Sequence, residues 1–108
     1  MVDHEFDELK REFLAEARDK LQEIESTLEG ERDPARIERL TYLAHQLKGS
    51  GGSYGFQRIS TDAAELEKAA ELLSTGSDDG HLEEKIQVHV INIRSEIDKR
   101  ERELTASA

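Results

Sequence analysis

The stretch AHQLKGSGGSYGF, residues 44–56, sets a histidine and a lysine three positions apart and follows them with four glycines, Gly49, Gly51, Gly52 and Gly55. A glycine inside a helix costs about 1 kcal/mol relative to alanine. Two readings are open. The helix carrying Leu40, Ala44 and Leu47 can stop at Gly49, with that glycine as its C′ residue and the rest a loop. Alternatively it runs on, and the glycines serve to bare the surface beside His45. The first reading leaves the pairing of His45 with Lys48 and the repetition of glycine without a purpose.

Upstream, Asp33-Pro34 is a helix start: an N-cap residue followed by proline at the first helical position. The second helix is therefore expected over 34–53, with Ile37, Leu40, Ala44 and Leu47 turned inward. Before it, Phe6, Leu9, Phe13, Ala17, Leu21, Ile24 and Leu28 recur at steps of three and four, one helical face over 3–29, with Gly30 as the stop. After the glycines, Ser60 or Thr61 is the expected N-cap of a third helix over 60–75, with a stripe of Ile59, Ala63, Leu66, Ala70 and Leu73. The loop STGSDDG ends it. Asp78 or Asp79 is then expected to cap a fourth helix over 79–104, whose stripe is Leu82, Ile86, Val90 or His89, Ile93, Ile97 and Leu104.

Four amphipathic helices on short connections predict an all-α fold, an antiparallel up-down-up-down four-helix bundle, with 1–108 as one domain. A coiled coil of two long helices is the competitor, but the stripes keep no strict seven-residue period across the loops. Hydrophobic residues make up 35% of the chain and charged residues 37%, which suits helices with one buried stripe each. The net charge of −10 argues against nucleic-acid partners and against an anionic membrane surface. With no cysteine there is neither a disulfide framework nor a thiolate metal site. The opening MVDHEFDELKREF does not read as a signal peptide and no apolar run approaches a membrane span, so a cytoplasmic location is expected.

At about 100° per residue, His45 falls roughly 120° from the inward direction of its helix. Thr41 and Lys48 share its flank. Gly49 and Gly52, four and seven positions on, are where neighbouring side chains would otherwise stand. The ring is thus expected to face outward beside bare backbone and one cation. Neutral imidazole is a nucleophile near pH 7 and can hold a phosphoryl group through nitrogen. An ammonium nearby would offset the phosphoryl oxygens. The second ring nitrogen needs an acceptor, and Glu67, on the flank of the third helix that can face the second, is the candidate.

His45-Gln46-Leu47-Lys48-Gly49-Ser50, with Gly52 and Gly55 beyond, resembles the histidine-containing phosphotransfer (HPt) domain of two-component phosphorelays. Gly-Gly-Ser-Tyr-Gly-Phe and the opening helix FLAEARDKLQEIESTL are most similar to the N-terminal phospho-acceptor domain of chemotaxis-type histidine kinases. The resemblance covers about residues 5–100. It implies a phosphocarrier. His45 would be the phosphorylated residue, Lys48 the phosphate-side cation and Glu67 the carboxylate that orients the imidazole. Thr41, Gly49, Gly52, Ser53 and Tyr54 would make the docking surface, while Phe56 is expected to plug the core. Ala64 departs from those domains, which often carry a second polar residue there. The implied partners are response-regulator receiver domains, which bring their own Mg²⁺, and a histidine kinase. No cofactor or metal is expected on this chain, and a monomer is expected because the one specific surface serves a transient partner. The chain can be free-standing or the excised N-terminal domain of a kinase.

Three other readings compete. KGSGGSYG is not a Walker loop, because its lysine precedes the glycines and no strand leads into it. His4, His81 and His89 with His45 invite a metal-binding bundle, but no Glu-x-x-His pairs are placed inward on two helices. A non-catalytic acidic helical adaptor remains, and it has no use for the His45–Lys48–Gly49 arrangement.

Overall fold

The computed structural model describes residues 4–30, 33–76 and 80–106. They form four α-helices, α1 (His4–Glu29), α2 (Pro34–Ser53), α3 (Gln57–Ser74) and α4 (His81–Ala106), with no strand among the described residues. α1 and α3 each pack on both α2 and α4, which makes a four-helix bundle 51 Å long and 19 Å across.

α2 begins as the dipeptide demands. Asp33 holds an extended backbone and its carboxylate accepts the Arg36 N–H at 2.9 Å, while Pro34 occupies the first turn, where no N–H is needed. The far end settles the question of the glycines. The helix does not stop at Gly49; it continues through Gly51 and Gly52 to Ser53. The residue that turns the chain is Gly55, at φ +82°, a left-handed conformation that disfavours a Cβ. The Phe56 N–H returns to the Gly51 carbonyl at 2.8 Å and closes the turn.

The expected start of α3 needs correction. It begins at Gln57, not at 60, with Phe56 in the N-cap position and no side-chain cap. Neither Ser60 nor Thr61 caps it. Phe56 is buried and stacks on Phe13 with ring centroids 5.4 Å apart, so tertiary packing, rather than a polar cap, sets where the helix starts. The Ser60 hydroxyl is used between helices and donates to the Lys48 carbonyl at 2.8 Å. Asp78 and Asp79, proposed caps of α4, lie outside the described residues.

The core contains most of the anticipated stripes, including Ala17, Leu21, Ile24, Leu40, Ala44, Leu47, Ile59, Ala63, Leu66, Ile86, Val90, Ile93 and Ile97. Three expected members are outside it: Phe6 and Leu9 are 39% and 44% exposed, and Ile37 is half-buried and lines a surface groove. Phe13 packs on Tyr54 and Phe56, at the turn between α2 and α3. Residues before Phe13 lie beyond this turn, and there the Arg11 guanidinium donates to the Leu104 carbonyl of α4. Leu14, Leu43 and Ala69, outside the predicted stripes, are buried because two neighbours per helix widen the inward face beyond one row. Leu28, Leu73 and Leu104 pack on the core only in part.

Candidate functional site

α2 and α3 meet along a seam that starts at Gly51. A Cβ there would lie 3.2 Å from the Ser60 nitrogen and 3.5 Å from the Phe56 carbonyl oxygen, both backbone atoms. Glycine at 51 thus lets the two helices touch, and the Ser60–Lys48 hydrogen bond pins them at that point. Two turns along each helix from Gly52 and Ser60, in opposite chain directions, stand His45 and Glu67.

There the structure brings three of the sequence-predicted residues together. His45 Nδ1 and Glu67 Oε2 are 2.7 Å apart, and Lys48 Nζ donates to Glu67 Oε1 at 2.7 Å. The Glu67 side chain is only 13% exposed, whereas the His45 side chain is 63% exposed. Burial alone would raise the Glu67 carboxyl, but the Lys48 ammonium and the His45 ring hold it below the ordinary glutamate value. Glu67 is therefore a carboxylate at neutral pH, and a carboxylate only accepts hydrogen bonds. The proton of this bond sits on His45 Nδ1, and in the neutral ring Nε2 carries the lone pair. Nε2 has no hydrogen-bond partner among the described residues.

The two remaining glycines beside the ring differ. A Cβ at Gly49 would meet nothing within 4 Å, so no feature of the fold requires glycine there. At Gly52 it would meet Ser60 Oγ at an ordinary 3.5 Å. Gly49 is the position whose bareness has no internal explanation.

His45 stands between two concavities. On the α3 side a groove lined by Ile37, Thr41, Tyr42, Glu67 and Leu73 runs toward the start of α2. On the α1 side a shallow dish is lined by Lys20, Gln46, Gly49, Ser50, Ser53 and Tyr54. The proposed docking residues are thus divided. Thr41 is half-buried on the groove side, with its hydroxyl returned to the Ile37 carbonyl at 2.9 Å. Ser53, whose hydroxyl donates to the Gly49 carbonyl at 3.1 Å, and Tyr54 are on the dish side. The Tyr54 ring is half-buried and stacks on Phe13 at 5.2 Å, so one of its faces is already taken within the fold.

Three residues of this neighbourhood escaped the sequence reading. Tyr42 is exposed in the groove and accepts a hydrogen bond from Gln46 Nε2 at 2.7 Å; its place one turn before Gln46 was the available signal. Lys20 comes from α1, and no local pattern links it to His45. Ser60 looks like an N-cap in sequence and acts as an interhelical clasp.

The other histidines separate from this group. His89 Nδ1 is 2.8 Å from Asp62 Oδ1, between α3 and α4. His81 is exposed near Glu84.

A family model, the Hpt domain, matches residues 8–102 of the chain. The chain belongs to that family, whose members carry out histidine phosphotransfer in two-component signalling and interact with kinases and receiver domains. Neither the curated proteins nor the solved structures gave a significant match. No helix among the described residues is long and apolar enough to cross a membrane.

Proposed function

We propose that this chain is the phosphocarrier of a relay and that His45 is the residue that carries the phosphoryl group. The observation that supports it most is an imidazole 63% exposed, bonded through Nδ1 to a mostly buried carboxylate and flanked by the open Gly49. The antiparallel up-down-up-down arrangement belongs to the same reading. Its support is that α1 residues 11 and 18 meet α4 near 104 and 98–101, and that α2 and α3 pair in opposite directions.

The Nε2 lone pair attacks phosphorus and forms the N–P bond. The bond from phosphorus to the donor's carboxylate oxygen breaks, and its electron pair stays on that carboxylate. The proton on Nδ1 remains in place, so the ring becomes an imidazolium, and Glu67 stands ready to stabilise that charge. Transfer onward reverses these steps on a second receiver's aspartate. Such transfers depend mainly on positioning and charge stabilisation, so a carrier needs little more than a placed nucleophile. The donor is a receiver aspartyl phosphate, whose Mg²⁺ belongs to the receiver, or ATP held by a kinase, in which case the bond from the γ-phosphorus to the bridging oxygen breaks and ADP leaves with the electron pair. Gly49, Gly52, Ser53 and Thr41 lie where the partner's backbone would approach. The resemblance of Gly-Gly-Ser-Tyr-Gly-Phe to the phospho-acceptor domain of chemotaxis-type kinases supports a setting of that kind for this chain.

The test is incubation with radiolabelled phospho-receivers and with kinases. An acid-labile, alkali-stable label mapping to His45 is expected, together with its loss in His45→Gln. A variant that still binds its partner while the wild type never takes up label would mark the chain as an adaptor.

A further inference from the structure

Lys48 is the lysine of the motif, yet its ammonium is already engaged. Nζ donates to Glu67 Oε1 at 2.7 Å, on the same carboxylate whose other oxygen meets His45. Withdrawing it would leave a carboxylate 13% exposed with one partner fewer, which works against the hydrogen bond that fixes the ring. A phosphoryl group on Nε2 brings about two negative charges to the other edge of the imidazole. His45 lines the dish as well as the groove that holds Glu67, and the dish has its own cation. Lys20 of α1 lines it together with His45, Gly49 and Ser50. Lys20 is half-buried and makes no hydrogen bond or ion pair among the described residues. It stands beside the run 49–53, which carries no charged side chain, in a chain with 25 acidic residues against 15 lysines and arginines.

We infer that the two lysines divide the work: Lys20 is the catalytic cation that meets the phosphoryl oxygens on His45 Nε2, and Lys48 is a positioning residue that holds Glu67. The inference rests on the phosphocarrier reading and goes beyond it in assigning a residue from α1. Lys20 lies outside the motif, on a helix that contributes nothing else charged to the dish.

The experiment uses the full chain with phosphoramidate as a small donor, from which the N–P bond breaks and ammonia leaves. Uptake rate and phosphohistidine lifetime are measured for wild type, Lys20→Ala, Lys20→Arg and Lys48→Ala. The ¹⁵N shifts of the His45 ring, which report which nitrogen carries the proton, are recorded alongside. Lys20→Ala is expected to slow uptake about tenfold with the ring shifts unchanged, and Lys20→Arg to restore most of the rate. Lys48→Ala is expected to move the ring shifts, because Glu67 loses its second partner. Both lysines are exposed enough for the variants to fold, and thermal melting checks this. Wild-type uptake in Lys20→Ala, with the loss confined to Lys48→Ala, overturns the assignment. A wild type that no donor labels overturns the phosphocarrier reading itself, and the assignment with it.

Discussion

Two histidines in this bundle make nearly the same bond. His45 Nδ1 lies 2.7 Å from Glu67 across α2 and α3, and His89 Nδ1 lies 2.8 Å from Asp62 across α3 and α4. What surrounds them differs. The His89 side chain is 22% exposed, and Asn92 Nδ2 donates to the same Asp62 oxygen at 3.2 Å. One turn further along α4 stands Ile93, fully buried. At the corresponding place beside His45 stands Gly49, with nothing within 4 Å of where its Cβ would be. A carboxylate partner fixes a ring equally well for catalysis or for packing. Exposure of the second nitrogen, a cation at hand and cleared neighbours are what separate a site from a strut.

The contrast breaks first if the wrong histidine matters. His45→Gln should abolish phosphoryl uptake, while His89→Gln leaves uptake unchanged and lowers stability by about 1 kcal/mol, seen in chemical denaturation. Loss of label in His89→Gln would make the comparison meaningless. Next, Glu67→Gln should slow uptake from phosphoramidate about tenfold or more, because the tautomer is no longer enforced, whereas Asp62→Asn should not change it. Equal effects of the two would remove the distinction between the pairs.

Gly49→Gln separates docking from chemistry. It should slow transfer from a protein donor several-fold and leave phosphoramidate uptake intact, and a helix former there should raise stability by about 0.5–1 kcal/mol. A smaller effect belongs to Ser60→Ala, which removes the clasp two turns from the site. Uptake is expected to fall about threefold and to recover in Ser60→Thr, which keeps the hydroxyl.

The least effect concerns pH. The folded protein holds the Glu67 carboxyl below its ordinary value, so its contribution to stability is fully present above that ordinary value. It is lost as pH falls through the lowered value. The stability difference between wild type and Glu67→Gln should thus be flat from neutral pH down to the ordinary carboxylate range and shrink only below it. A difference that grows on acidification would contradict the lowered carboxyl.

Residues 44–56 and the spacing of apolar residues determined four helices, the start of α2 at Asp33-Pro34, and the outward direction of His45, because each depends on period and local backbone chemistry. Glu67 could be named from sequence since a helix flank is computable, but its sharing between His45 and Lys48 could not. Tertiary structure alone decided the use of each glycine: Gly51 for the contact of α2 with α3, Gly55 for the turn, and Gly49 for nothing inside the fold. It also decided that Phe56, rather than Ser60, opens α3, and that Lys20 reaches the dish beside His45. These depend on how far one helix slides along another and which atoms then meet, distances that no periodicity along a single chain contains.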